Sequence, residues 1–138
     1  MVAPSQLFID TSYVLGLFNV ADQYHRLCVE AVKYNQEAKR LYTTDAVLME
    51  VGNAFSSVER RPKGSMVIRD LLNDPQIEII HLNPQYFEKA LKLFEKRDDK
   101  TWGMVDCFSF VVMKEFKLKA ALTTDHHFEQ AGFKILPF

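Results

Sequence analysis

The sequence predicts an α/β fold in which a mostly parallel sheet carries helices on both faces. Three observations support this. Short apolar runs of strand length alternate with longer stretches whose apolar residues recur at helical spacing. Strands joined through helices in that rhythm pair in parallel and are covered on both sides. Finally, a chain of 138 residues with 48% hydrophobic content can bury one sizeable core. Residues 1–138 are therefore expected to form a single domain.

The elements follow in order. Residues 6–9 read as a first strand, 11–18 as a short helix and 22–40 as one long helix with Leu27, Ala31 and Tyr34 among its spaced apolar positions. A brief strand at 41–44 leads to a helix at 45–60, for which Asp45 is the expected N-cap. Its apolar stripe includes Val47, Val51, Ala54 and Val58. Pro62 and Gly64 mark a turn before helix resumes at 65–72, and Asn73-Asp74-Pro75 breaks it. Residues 77–82 alternate and are β-branched, hence a strand. Pro84 suits the first position of a helix running to about 97. Residues 105–116 are apolar on nearly every side and are expected in the core. A strand at 120–123, a short helix at 125–130 ending near Gly132, and a strand at 133–136 complete the chain.

Composition narrows the function. Seventeen basic residues nearly balance eighteen acidic ones, giving a net charge of −1. This argues against a dedicated basic nucleic-acid binder, though not against an enzyme that meets phosphate locally. Cys28 and Cys107 share no metal-ligand spacing and read as reduced, buried thiols. The N-terminal stretch lacks a basic-then-apolar leader pattern, and no run reaches the length needed to cross a bilayer. A cytoplasmic protein without membrane association is expected.

Four acids stand where predicted strands end or helices begin: Asp10, Glu50, Asp106 and Asp125. A parallel sheet gathers its ligands beyond the carboxyl ends of its strands. Buried carboxylates brought together there are costly unless a cation neutralises them. Each acid also has a plain alternative. Asp10 or the neighbouring Ser12 can cap the first helix, and Asp125 can cap the short helix after it. Glu50, at the boundary of its helix's apolar stripe, can be a solvated flank. Asp106 can complement the dipole of the apolar helix it opens.

A site built only from carboxylates suits Mg²⁺ or Mn²⁺, and phosphodiester hydrolysis is the chemistry that most often needs it. Zinc fits poorly: His126 and His127 point about 100° apart on a helix, and no third His or Cys stands at ligand spacing. No glycine-rich phosphate loop and no serine nucleophile elbow is present.

Over essentially its whole length the chain resembles the PIN-domain ribonucleases, particularly the VapC-like toxins of toxin–antitoxin pairs. The resemblance rests on FIDTSYVLGLF, TTDAVLMEVGNAF, DDKTWGMVDCFSFVVMKE and ALTTDHHFEQAGFKIL, in that order. It implies a three-layer α/β/α domain, a homodimer, an antitoxin partner, and RNA cleavage with Mg²⁺ or Mn²⁺ that leaves a 5′-phosphate and a 3′-hydroxyl. It further implies that Asp10, Glu50 and Asp106 ligate the metal, with Asp125 completing the set directly or through water. Asp99 matches a further acidic position of some members. Two departures stand out: Gly103 and Val105 occupy positions where members often carry hydroxyl residues, removing hydrogen bonds that support the ligands.

Around the acids, Thr11, Ser12 and Thr124 are secondary candidates, as donors to carboxylate or phosphate or as ordinary caps. Arg60, Arg61 and Lys63 form the densest basic cluster, either a grip on RNA or a solvated helix end. Trp102 is a base-stacking platform or, more simply, an anchor for its loop. Two other functions compete with the toxin: a PIN-like domain that binds RNA or protein without cutting, and a nuclease of RNA maturation without an antitoxin.

Overall fold

A computed structural model describes residues 4–137. Along them run β1 (Gln6–Ile9), α1 (Thr11–Phe18), α2 (His25–Glu30), α3 (Val32–Glu37), β2 (Arg40–Thr44), α4 (Asp45–Ala54) and α5 (Arg61–Asn73). There follow β3 (Ile77–Ile80), α6 (Pro84–Lys96), α7 (Met104–Glu115), β4 (Ala120–Leu122), α8 (His127–Gln130) and β5 (Lys134–Leu136). The strands form one sheet in the order β3-β2-β1-β4-β5, with every pairing parallel. The expected α/β architecture is thus present.

Alternation along the strands divides the core in two. Phe8, Tyr42, Ile80, Ala121 and Ile135 face α6, α7 and α8 through Ala90, Phe108, Phe110, Val112 and Phe128. Leu7, Ile9, Leu41, Ala120 and Leu122 face the other layer through Tyr13, Val14, Cys28, Val51 and Val67. Both cysteines are free and buried, as their apolar surroundings indicated.

The chain steps outward from β1 to β3, then returns across the sheet to place β4 on the other side of β1. Strand order therefore reverses between β1 and β4, and a crevice opens at their carboxyl ends. In that register Ile9 pairs with Leu122, so Asp10 and Thr123 are the first residues past the edge on adjacent strands.

Several local expectations are corrected. The helix anticipated at 22–40 is two short helices after a turn: Asp22 Oδ1 accepts from the Tyr24 N–H, and α3 ends at Glu37. There the Gln76 side chain donates to the carbonyls of Asn35 and Ala38, while the Lys39 and Arg40 amides reach Ser5 O. Strand pairing takes the chain away from the helix. Asp45 is not the N-cap of α4; Thr44 is, its hydroxyl accepting from the Val47 N–H. Asp45 instead receives the Leu82 N–H at 3.0 Å and meets His81, pinning the segment after β3.

The helix expected to reach residue 60 stops at Ala54, and Val58, assigned to its apolar stripe, lies in the turn at 88% exposure. Ser57 O accepts from the Arg60 and Arg61 amides instead, starting α5. Pro62 belongs to the first turn of α5, where its missing N–H costs nothing.

Gly64 is likewise no turn residue. It lies within α5 where a Cβ would come 2.5 Å from Phe55 Cβ. Its missing side chain lets α5 lie directly on Phe55. Gly64→Ala is expected to cost about 1–3 kcal/mol through forced displacement of α5, read as a lower midpoint in urea unfolding. An unchanged midpoint would show that the contact relaxes freely.

Candidate metal centre

Asp10, Thr11, Ser12, Leu15, Glu50, Asn53, Asp106, Asp125 and His127 line one open cleft of about 560 Å³ at the carboxyl edge of β1 and β4. All four predicted acids meet there, and none of the lining residues is a lysine or arginine.

Asp10 is the deepest, at 6% exposure. Its Oδ2 accepts from Thr123 Oγ1 at 2.7 Å and from Ser12 Oγ at 3.0 Å. The two hydroxyls also lie 2.9 Å apart, and Ser12 Oγ accepts from the Thr124 amide. Burial pushes the Asp10 carboxyl up to about 6, against the opposing pull of the Thr123 and Ser12 hydrogen bonds. The neighbouring Asp106 charge raises it further.

Glu50 projects from α4 and accepts from Thr11 Oγ1 at 2.6 Å. This fixes the orientation that helical spacing alone left open. Asp106, in the first turn of α7, accepts from the Gly103 N–H at 3.2 Å. A backbone amide thus supplies a bond at the position where the sequence lacks a hydroxyl. Asp125 follows β4, receives the His127 N–H at 2.9 Å, and is 3.5 Å from His127 Nδ1. His127 Nδ1 lies 3.0 Å from Asp106 Oδ2.

Asp106, Asp125 and His127 each offer one ligand atom, and these atoms lie within 4.8 Å of one another. With Asp10 and Glu50 in the same cleft, the donor set is rich in carboxylate and lacks a permanent cation. Such a set fits a hard divalent ion.

The remaining candidates fall elsewhere. Asp99 is exposed and paired with Arg97 through Nε and Nη2 at 3.0 and 3.1 Å; that guanidinium holds its carboxyl below the usual range. Arg60 lies over the Phe55 ring, and Arg61 Nη1 donates to Ser56 O. Lys63 is exposed. Arg61 and Arg69 line a broader groove of about 720 Å³ between α4 and α5, which meets the acidic cleft at Asn53. Trp102 is buried, donates to Gln130 Oε1, and anchors its loop.

Two residues of the cleft region are not among the expected site residues: Thr123 is not named from the sequence, and His127 is weighed there only with His126 as a zinc ligand and set aside. Thr123, rather than Thr124, supplies the hydroxyl on Asp10, because it stands opposite Asp10 in the β1–β4 register. His127 enters because the turn at Asp125 brings side chains two positions apart to one side. His126 faces away, paired with Glu129. Only one of the two histidines is therefore near the acids.

Comparison with known proteins follows this geometry. A family model described as the PIN domain matches residues 7–134. The 23S rRNA-specific endonuclease VapC20 of Mycobacterium tuberculosis, in strains CDC 1551 / Oshkosh and H37Rv, is 25% identical over 134 residues, covering 92% of this chain and 95% of that protein. Among solved structures, M. tuberculosis VapC20, described as a Sarcin-Ricin loop cleaving toxin, superposes with a TM-score of 0.82 at 21% identity, covering 92% and 95%. VapBC2 from Rickettsia felis, bound to a DNA fragment from their promoter, superposes at 0.67 and 12% identity, covering 94% and 96%.

Proposed function

The chain belongs to the PIN-domain family, and we propose that it is a metal-dependent endoribonuclease acting as the toxin of a toxin–antitoxin pair. The observation that carries this reading is the convergence of Asp10, Glu50, Asp106 and Asp125 on one cleft at the strand-order reversal.

In this reading Asp10, Glu50 and Asp106 hold a divalent cation, Mg²⁺ or Mn²⁺, with Asp125 completing the set directly or through water. When bound, that cation lowers the pKa of water and offsets charge on the phosphate oxygens. The protein's part is positioning. Thr123 and Ser12 hold the Asp10 carboxylate, Thr11 holds Glu50, and the Gly103 amide holds Asp106. Arg61 and Arg69, in the groove that meets the cleft at Asn53, give the RNA backbone a route with positive charge. The VapC20 relatives support ribosomal RNA as the substrate class, and the VapBC2 likeness supports an antitoxin partner. Homodimerisation and a cytoplasmic setting complete the proposal. Among the described residues no helix is long and apolar enough to cross a membrane.

The test incubates purified protein with 23S ribosomal RNA and Mn²⁺ or Mg²⁺, beside Asp106→Asn. Wild type is expected to give discrete fragments that chelator suppresses. The variant should be slower by at least about a hundredfold, since changing even the partners that support a ligand costs about 10–100-fold and Asp106 is itself a ligand. No cleavage by wild type, or equal cleavage by both, would overturn the reading.

A further inference from the structure

We propose that His127 is a ring-nitrogen ligand of the cation held by Asp106 and Asp125, and that this nitrogen biases the centre toward Mn²⁺ over Mg²⁺. The inference rests on the metal-dependent reading above and specifies the ion it uses.

Position comes first. His127 opens α8, and its Nδ1 faces both carboxylates, 3.0 Å from Asp106 Oδ2 and 3.5 Å from Asp125 Oδ1. The three donor atoms fall within 4.8 Å of one another, the spread expected of groups converging on one ion. The His127 amide fixes the Asp125 carboxylate through Oδ1 at 2.9 Å, so backbone and ring of one residue position both sides of the cluster.

The second ring nitrogen matters equally. Nε2 lies 3.3 Å from Thr101 Oγ1, in the loop before α7. A histidine that ligates through one nitrogen needs a partner for the N–H on the other, which fixes tautomer and ring plane. The Thr101 hydroxyl can fill that role, so that Nδ1, which lies against the two carboxylates, can give its lone pair to an ion seated among them. His126 is turned to Glu129, so the cluster holds a single imidazole.

Ligand chemistry then sets the preference. Mg²⁺ takes oxygen donors in near-ideal octahedral geometry and gives up its waters reluctantly. Imidazole favours first-row transition ions, whose affinity for mixed nitrogen and oxygen sites rises along the Irving–Williams series. One nitrogen among several carboxylates therefore disfavours Mg²⁺ relative to Mn²⁺ without building the closed, nitrogen- or sulfur-rich tetrahedron of structural zinc.

The experiment loads the full chain with Mn²⁺ and records electron spin echo envelope modulation, beside calorimetric titrations with Mn²⁺ and Mg²⁺. Wild type is expected to show ¹⁴N coupling to the bound Mn²⁺. In His127→Gln, checked for folding by circular dichroism, the coupling should vanish. Mn²⁺ affinity should fall by at least about tenfold, the lower end of losses on perturbing a metal site, with Mg²⁺ affinity remaining in its original range. Bound Mn²⁺ without ¹⁴N coupling in wild type would overturn the inference, as would coupling that persists in the variant or an equal loss for both ions. Each of those results leaves the metal-dependent reading intact. Failure of wild type to bind Mn²⁺ at all would instead remove both.

Discussion

Replacing Asp10 with asparagine is expected to abolish metal-dependent RNA cleavage while making the metal-free protein more stable at neutral pH. The two effects have one origin. Asp10 is buried, and burial has raised its carboxyl from 3.8 to about 6. In the unfolded chain it ionises near its ordinary value, so between pH 4 and 6 the folded state binds the extra proton. Stability of the metal-free fold therefore falls as pH rises through that window and is level above it. The cost of holding the anion at neutral pH is about 3 kcal/mol.

Asparagine keeps an acceptor for Thr123 Oγ1 and Ser12 Oγ and carries no charge. Urea unfolding in chelator at pH 7.5 should show Asp10→Asn above wild type by an amount of that order, with the gap closing near pH 4. Adding Mn²⁺ should reverse the ranking, since the cation offsets the charge only in wild type. A variant less stable than wild type at both pH values would show that the carboxylate is not held at a cost.

The largest stability loss is expected from Phe110→Ala. The Phe110 ring meets Trp102 and Phe128 edge-on, with centroids 5.0 and 4.9 Å away, and Phe133 at 5.8 Å. At 2% exposure its ring is buried, so truncation removes packed core contacts and leaves a cavity. Truncation should cost about 3–5 kcal/mol, a large share of the 5–15 kcal/mol typical of whole domains. Trp102 anchors the loop that carries Thr101 and Gly103, and Phe128 follows His127, so this aromatic cluster also supports two walls of the cleft. The loss is expected as a lower unfolding midpoint and weaker Mn²⁺ binding below it. Fluorescence of the single tryptophan reports the transition. A shift under 1 kcal/mol would mean the cluster repacks.

Much of this architecture was legible in the residues. The alternation of strands and helices led to the parallel sheet, and the sheet led to the edge where the four acids meet. Less legible were the features settled by pairing between distant segments. Nothing in residues 22–40 indicates that Ser5 and Gln76 will end the helix early. The Thr44 hydroxyl outcompetes Asp45 as a cap because Asp45 is engaged by Leu82, which only the sheet brings near. Thr123 acquired its role from the register with Ile9, and His127 from a turn that spacing rules for helices do not describe. Gly64 reads as a breaker in sequence, yet its value is the space it leaves beside Phe55.

The strand order also sets when the cleft comes into being during synthesis. β1 is made well before its neighbour β4, and the Thr123 hydroxyl that holds Asp10 is 113 positions downstream. Contacts of such long range form late in folding. A nascent chain therefore carries Asp10 and Glu50 through that whole interval without the partners that make them a site. Interrupted products ending before α7 would lack Asp106, Asp125 and His127 altogether. The acidic cleft therefore cannot exist until β4 and the turn at Asp125 have been made and paired with β1.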